Sequence, residues 1–126
     1  MKLFYSLIFV FISYGTLAVS ASEKIVLQAA MQQYVESQQI EGALLDLDLE
    51  SGEIRKLYPT KTHPMIMTMG ENFVLCLTLS DTDGKEYLAD YYIAPQDDGF
   101  VVIRTEINNR DALKKLMKAG IVGKMK

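Results

Sequence analysis

The first half of the chain shows apolar and polar positions that alternate with the period of an α-helix. Between Ser22 and Ile40, apolar side chains recur at helical spacing, and most of the glutamines fall on the opposite side. Ser22 is a suitable N-cap, and Gly42 is a suitable stop. The pattern predicts an amphipathic helix over 22–40 whose apolar face consists of Val26, Leu27, Ala30, Met31, Tyr34 and Val35.

After Gly42 the period changes to two, which is typical of a half-buried strand. In ALLDLDLESGE three leucines alternate with three acids, namely Leu45, Leu47 and Leu49 with Asp46, Asp48 and Glu50. We expect the leucines to face the core and the acids to face water, because one-sided burial of an antiparallel sheet gives such alternation. A turn is expected at Ser51 and Gly52.

The rest of the chain predicts more strands and a short final helix. A strand over 54–58 is followed, after Pro59 and Pro64, by HPMIMTM and then by FVLCLTLS. DTDG and PQDDG are hairpin turns that lead into KEYLADYYIA and FVVIRTEI. Asn108 is a suitable cap for a helix over 111–119, for which we expect three inward side chains, Leu113, Leu116 and Met117.

This order of elements predicts an α+β domain. Strands joined by turns of two to five residues are antiparallel, and the N-terminal helix can cover one face of the sheet. We therefore expect the helix to pack on a curved antiparallel sheet of five or six strands, with a short C-terminal helix. In outline this order resembles cystatin-like or NTF2-like rolls, and the resemblance implies no particular activity.

The N-terminus, MKLFYSLIFVFISYGTLAVSASEK, has the three-part pattern of a secretory signal peptide. Lys2 precedes an apolar run, and Val19 and Ala21 suit a signal-peptidase site before Ser22. The alternative is an uncleaved anchor, but serine, threonine and glycine interrupt the run, and a spanning helix needs about 20 mostly apolar residues. We expect residues 1–21 to be cleaved and residues 22–126 to form one periplasmic or secreted domain without stable membrane insertion.

Charge and cysteine content narrow the classes of partner. The chain has 13 Lys and Arg against 16 Asp and Glu, and removal of residues 1–21 takes away Lys2 alone, leaving a net charge of −4. A mildly acidic chain without a run of Lys and Arg has no electrostatic attraction for nucleic acid or anionic membranes, so neither partner is expected. Cys76 is the only cysteine, so no disulfide forms within the chain. No cofactor is expected.

HPMIMTM sets the only histidine and three methionines at every second position: His63, Met65, Met67 and Met69. Thioether and imidazole groups suit Cu(I), so a soft-metal site for Cu(I) or Ag(I) is one interpretation. Alternate strand residues lie about 6.6 Å apart and the four would span about 20 Å, so an ion would need a further ligand from another strand. Methionine is also a common filler of cores, and we favour packing of the three methionines against the N-terminal helix.

Asp90 and four tyrosines are the remaining candidate site residues. Asp90 lies between Leu88 and Tyr92 on a strand that is apolar on both faces, so a curved sheet would bury it in part, and a cavity enzyme of the roll type using Asp90 with Tyr92 is one alternative. Cys76 lies between two leucines and is expected to be a buried, structural residue. Tyrosine tolerates a half-wet surface, and the tyrosines suited to contact a ligand are Tyr58, Tyr87, Tyr91 and Tyr92.

The stretch HPMIMTMGENFVLCLTLSDTDGKEYLADYYIA resembles one shared by small exported bacterial proteins of uncharacterised function. The resemblance covers about the C-terminal half of the mature chain and implies a Gram-negative periplasmic location, but no activity, ligand or catalytic residue. Together these observations favour an exported, non-enzymatic domain that binds a protein or a small apolar molecule through its sheet or a pocket. Exposed strand edges also allow a dimer.

Overall fold

The computed structural model of the chain describes residues 16–125. It confirms an α+β fold with an N-terminal helix, a curved antiparallel sheet and a short helix near the C-terminus. The predicted signal segment, 1–21, lies mostly outside the described residues. The elements in chain order are α1 (Thr16–Gln38), β1 (Leu44–Leu47), β2 (Ile54–Met69), β3 (Asn72–Ser80), β4 (Glu86–Gln96), β5 (Gly99–Ile107), α2 (Asp111–Lys118) and β6 (Val122–Lys124).

The sheet follows the chain, because five strands lie in the order β1-β2-β3-β4-β5 and each is antiparallel to the next. β2 is one long strand where two were predicted. Pro59 and Pro64 do not end it, since each lies at or within a shift in the register with β3, where a missing backbone donor is tolerated. β6, which was not predicted, pairs with the end of β2 at Met67–Met69 and thereby ties the segment after α2 to the sheet.

α1 covers the inner face of the sheet, as predicted. Its side chains Leu27, Met31 and Val35 are buried against β2, β3 and β4, and they follow one another at the spacing of a single helical stripe. The helix begins at least six residues before the predicted start, so Ser22 lies inside α1 and is not its N-cap. The preceding leucine and alanines are strong helix formers and continue the helix through Ser22.

The predicted orientation of β1 is wrong. The leucines at 45, 47 and 49 are 45%, 54% and 88% exposed, whereas Leu44 is buried. The reason lies in the register, because Leu44 pairs with Leu57 and Asp46 pairs with Arg55. Leu44 and Leu57 lie in the core. The Arg55 guanidinium donates a hydrogen bond to the inward-facing Asp46 carboxylate at 2.7 Å. The other leucines therefore face solvent.

The methionines at 65, 67 and 69 do not pack against α1, so that prediction is also wrong. β2 contains a bulge at this point. Thr62 pairs with Leu77 and Ile66 pairs with Leu75, so three residues of β2 lie opposite one residue of β3. Ile66 consequently enters the inner core. Met67 lies on the outer face under α2, in a second cluster with Val74, Cys76, Tyr92, Leu113 and Val122, against which Met69 and Leu116 pack in part.

Candidate ligand-binding cavity

A cavity of about 390 Å³ lies on the outer face of the sheet, between β2, β3 and α2. We call it the methionine cavity. Eight residues line it: His63, Met65, Met67, Cys76, Arg110, Leu113, Lys114 and Met117. It is open to solvent on one side, because the side chains of Met65 and Met117 are about half exposed.

Local structure explains why these residues meet. The β2 bulge brings His63 and Met65 to the same cavity as Met67, although a regular strand would spread the three along its length. The four α2-side residues have the spacing i, i+3, i+4 and i+7, which is one stripe of a helix. That stripe consists of Arg110, Leu113, Lys114 and Met117, and it forms the wall of the cavity opposite the sheet.

The cavity gathers most of the side chains in this protein that can bind soft metal ions. It is lined by the only histidine, the only cysteine and three of the seven methionines of the chain. Five of the eight lining residues are therefore soft or borderline donors. Histidine, cysteine and methionine are uncommon elsewhere in the chain. Packing of a core does not require that so many of them line one cavity.

The methionine side chains differ in freedom of movement. Met67 is 5% exposed and is held in the outer cluster, whereas Met65 is 49% exposed and Met117 is 48% exposed. Methionine has three rotatable side-chain bonds and a polarisable thioether. The cavity thus has one buried methionine and two half-exposed methionines, of which Met65 comes from β2 and Met117 from α2.

His63 is oriented by a neighbouring strand. Its Nε2 atom lies 2.7 Å from the Thr78 hydroxyl on β3. If Nε2 carries the proton and donates it to Thr78, the other ring nitrogen keeps a free lone pair, because neutral imidazole has one donor and one acceptor nitrogen. A hydrogen bond of this kind fixes the orientation of a histidine that binds a ligand through its second nitrogen.

At the edge of the cavity, the buried side chains of Asp90 and Cys76 form a cluster with the partly buried Arg110. Asp90 is fully buried on β4. Arg110 precedes α2 and donates two hydrogen bonds to its carboxylate, each at 3.1 Å, from Nε and Nη2. The Cys76 thiol donates to Asp90 Oδ1 at 3.0 Å, and Arg110 Nη2 lies 3.3 Å from Cys76 Sγ. This network attaches the start of α2 to the sheet.

The protonation states in this cluster follow from its burial and hydrogen bonds. Burial, followed by the hydrogen bond to Asp90, raises the pKa of the Cys76 thiol to about 12. The hydrogen bond to Asp90 also raises the pKa of the Arg110 guanidinium above its usual value. Cys76 is therefore a protonated donor at neutral pH. This excludes the activated thiolate that a nucleophilic cysteine requires.

Smaller cavities flank the helices. One of about 300 Å³ lies on the other side of α2 and is lined by Met69, Tyr92, Ile103, Arg104, Glu106, Ala112 and Leu116. A third, of about 170 Å³, lies between α1 and the sheet and includes Tyr34, Tyr91 and Thr105 in its walls. The outer face therefore has open space on both sides of α2, whereas the recesses beside α1 on the inner face are smaller, at about 170 and 120 Å³.

The structure does not bring the predicted ligand-contact residues together. Tyr58 is at the surface, and Tyr87 and Tyr91 are buried in the inner core, where Arg55 lies 5.0 Å above the Tyr87 ring. Asp90 and Tyr92 are buried on the outer face. Of the predicted metal residues, three line the methionine cavity, namely His63, Met65 and Met67, while Met69 lines the cavity on the other side of α2.

Sequence reasoning missed the contribution of α2 to the site. Arg110, Lys114 and Met117 line the methionine cavity, but Met117 was expected to be a core residue. The signal for them was present, since they share one helical stripe with Leu113, the residue of α2 that is buried. No sequence pattern showed which part of the sheet this stripe would face.

The chain matches no protein-family model, no curated protein and no solved structure. Within residues 16–125 there is no helix long and apolar enough to cross a membrane. In the same part of the chain, no group of three or more histidine, cysteine and acidic residues is placed to bind a metal ion. The methionine cavity therefore remains the feature of the described residues that indicates a ligand-binding site.

Proposed function

We propose that this protein is an exported, non-enzymatic binding protein that holds a small ligand in the methionine cavity. The observation that carries the proposal is the cavity of about 390 Å³ beneath α2, built from three elements of the fold. Ligand pockets in proteins occupy about 300–1,000 Å³ and are lined mainly by apolar side chains with a few polar groups. The size and lining of this cavity fall within that description.

The lining supports a ligand with an apolar body. Met65, Met67, Leu113 and Met117 supply apolar walls, and methionine-rich surfaces adapt to ligands of different shape. The polar groups of the lining are basic or neutral, with no carboxylate among the eight residues. Because Asp90 pairs with Arg110, Lys114 is the lining residue that can pair with a negative group on such a ligand.

The export part of the proposal is supported by the N-terminal sequence. MKLFYSLIFVFISYGTLAVSASEK has the charged, apolar and small-residue regions of a signal peptide. Expression of the full chain in a Gram-negative host, followed by N-terminal sequencing of the periplasmic fraction, tests this part. A mature protein that begins at Ser22 is expected.

Titration of the purified protein with anilinonaphthalene sulfonate tests the binding site. This dye has an apolar body and one negative charge, and its fluorescence rises in apolar surroundings. We expect saturable binding of one dye molecule per chain. A Met65→Phe variant, which places a larger side chain in the methionine cavity, is expected to lower the affinity at least tenfold.

Met69→Phe is the matched control, because Met69 lines the cavity on the other side of α2. It should leave dye binding within a factor of two of the wild type. An equal loss in both variants, or a larger loss in Met69→Phe, would refute the methionine cavity as the site. Circular dichroism of each variant verifies that the fold is retained.

An enzyme that uses Asp90 is the less favoured function. Both carboxylate oxygens of Asp90 accept hydrogen bonds from Arg110, and the group is fully buried beneath it. A general base needs a free oxygen within hydrogen-bond reach of its substrate. The contacts of Asp90 instead suit a structural role at the start of α2.

A further inference from the structure

We propose that the methionine cavity binds one soft monovalent metal ion, Cu(I) or Ag(I), through the thioethers of Met65, Met67 and Met117 together with the imidazole of His63. This inference rests on the proposed function, because it assigns a second class of ligand to the same cavity, one held by the donor atoms of the lining and not by its apolar walls. It differs from a site confined to one strand, because one donor comes from α2 and Met69 is not part of the site.

The geometry provides the additional ligand that a single strand could not. β2 contributes Met65, Met67 and His63, which its bulge brings to one cavity, and α2 contributes Met117 from the opposite wall. The four donors carry no negative charge, and three of them are soft sulfur atoms, which is the ligand type that Cu(I) prefers. Thioethers are absent from the usual ligands of Zn(II), which are thiolate, imidazole and carboxylate.

The open cavity has to contract around an ion, since metal–sulfur bonds are about 2.3 Å long and the empty space is much wider. The two exposed methionines can make this movement. Met67 is buried in the outer cluster, while Met65 and Met117 are half exposed, and the three rotatable bonds of a methionine side chain allow such a movement where packing is incomplete. Binding should therefore draw α2 toward β2 and reduce the exposure of Met117.

Cys76 is not among the proposed ligands, although it lines the cavity. Its thiol is hydrogen-bonded to Asp90, and its sulfur lies 3.3 Å from Arg110. A metal ion at this sulfur would have to displace the proton and come close to the positive guanidinium. The thioethers have no proton to lose, so a site made from them releases no proton when the ion binds.

Calorimetric titration of the purified chain with Ag(I), which has the ligand preferences of Cu(I) without its redox chemistry, tests the site. The reference protein is the Cys76→Ser variant, because a free thiol also binds Ag(I). We expect one ion per chain in this variant, with no proton release, and no competition from a tenfold excess of Zn(II). Met117→Leu in the same background should weaken binding at least tenfold, because leucine keeps the apolar volume and removes the sulfur.

Met69→Leu in that background is the matched control and should change the affinity by less than twofold. Loss of the tight site in Cys76→Ser would overturn the proposal in favour of a thiolate site. An equal effect of Met117→Leu and Met69→Leu, or no binding of Ag(I), would also overturn it. If the dye binds in the methionine cavity and Ag(I) does not, the proposed function stands and the metal inference fails. If neither binds there, both fail.

Discussion

The two faces of the same sheet are covered in different ways. On the inner face, the long helix α1 packs three fully or nearly buried side chains, Leu27, Met31 and Val35, into a continuous core. On the outer face, the short helix α2 contributes Leu113 as its buried residue and leaves a cavity on each side. The inner face thus provides the stability of the fold, while the outer face retains open, chemically varied space.

This difference shows where a small domain can place a site. A close-packed core loses stability when its volume changes, so donors and charges are better tolerated on the partly covered face. There, the methionine cavity combines half-exposed thioethers and His63, beside an ion pair between the buried Asp90 and the partly buried Arg110.

The largest effect is expected for truncation of the inner core. Leu79 on β3 is fully buried there, and a Leu→Ala change at such a site costs about 2–5 kcal/mol through lost burial and the remaining void. Met65→Ala on the outer face should change the free energy of unfolding by less than about 0.5 kcal/mol, since exposed sites are tolerant. Urea denaturation of both variants measures the contrast. Similar losses in the two would contradict it.

Removal of the Arg110 side chain should give the largest loss on the outer face. Arg110→Ala leaves the buried Asp90 carboxylate without its charged partner, and breaking a buried pair in this way costs about 3 kcal/mol. We also expect faster amide hydrogen exchange in α2, because the variant loses the attachment of that helix. Unfolding curves and exchange rates provide the measurement.

The control for Arg110→Ala removes both charges. An Asp90→Leu and Arg110→Met double variant leaves no buried charge unpaired, so it should regain most of the lost stability, as replacement of buried pairs by apolar residues often does. A double variant no more stable than Arg110→Ala would indicate that the ion pair itself, and not the cost of an orphaned carboxylate, stabilises this face.

A smaller effect is expected from the Cys76 thiol at high pH. Its pKa is raised to about 12 in the folded chain, so the folded state keeps a proton that the unfolded state releases above about pH 9. Stability should therefore fall as pH rises from about 9 to 12, by about 1 kcal/mol at pH 10. Comparison of wild type with Cys76→Ser isolates this contribution. Identical pH dependence in the two proteins would contradict the raised pKa.

The smallest effect is expected at the exposed leucines of β1. Leu47 faces solvent opposite Ile54, so Leu47→Thr should change the free energy of unfolding by about 0.5 kcal/mol or less. The orientation first inferred from the alternation of leucine and aspartate would instead require a loss of several kcal/mol for a buried residue. Denaturation of this variant therefore distinguishes the two orientations of the strand.

The sequence was sufficient to predict most elements and the packing of the N-terminal helix on the sheet. The predictions from sequence were wrong where one local pattern is compatible with two orientations of a strand. The period of two in β1 shows that its faces differ, but the choice of face depends on the pairing of Asp46 with Arg55, a contact that involves another strand. Charge compensation made the acidic face the inner one, contrary to the usual preference for burying leucine.

The candidate site was predicted in part for a similar reason. The donor types in HPMIMTM were visible, but their convergence depends on a bulge between Thr62 and Ile66, and Pro64 inside it was interpreted as a break between two strands. Met117 joins them only because Arg110 and Leu113 orient α2 on the outer face. Bulges and the placement of a short helix are set by tertiary contacts, which a single sequence does not specify.

NMR spectra of the methionine methyl groups, recorded with and without anilinonaphthalene sulfonate, test most directly whether the cavity beneath α2 is the binding site. We expect the dye to shift the methyl signals of Met65, Met67 and Met117. The signals of Met31 in the inner core and of Met69 in the other cavity should not change. Shifts confined to Met31 or Met69, or no shift at saturating dye, would contradict it.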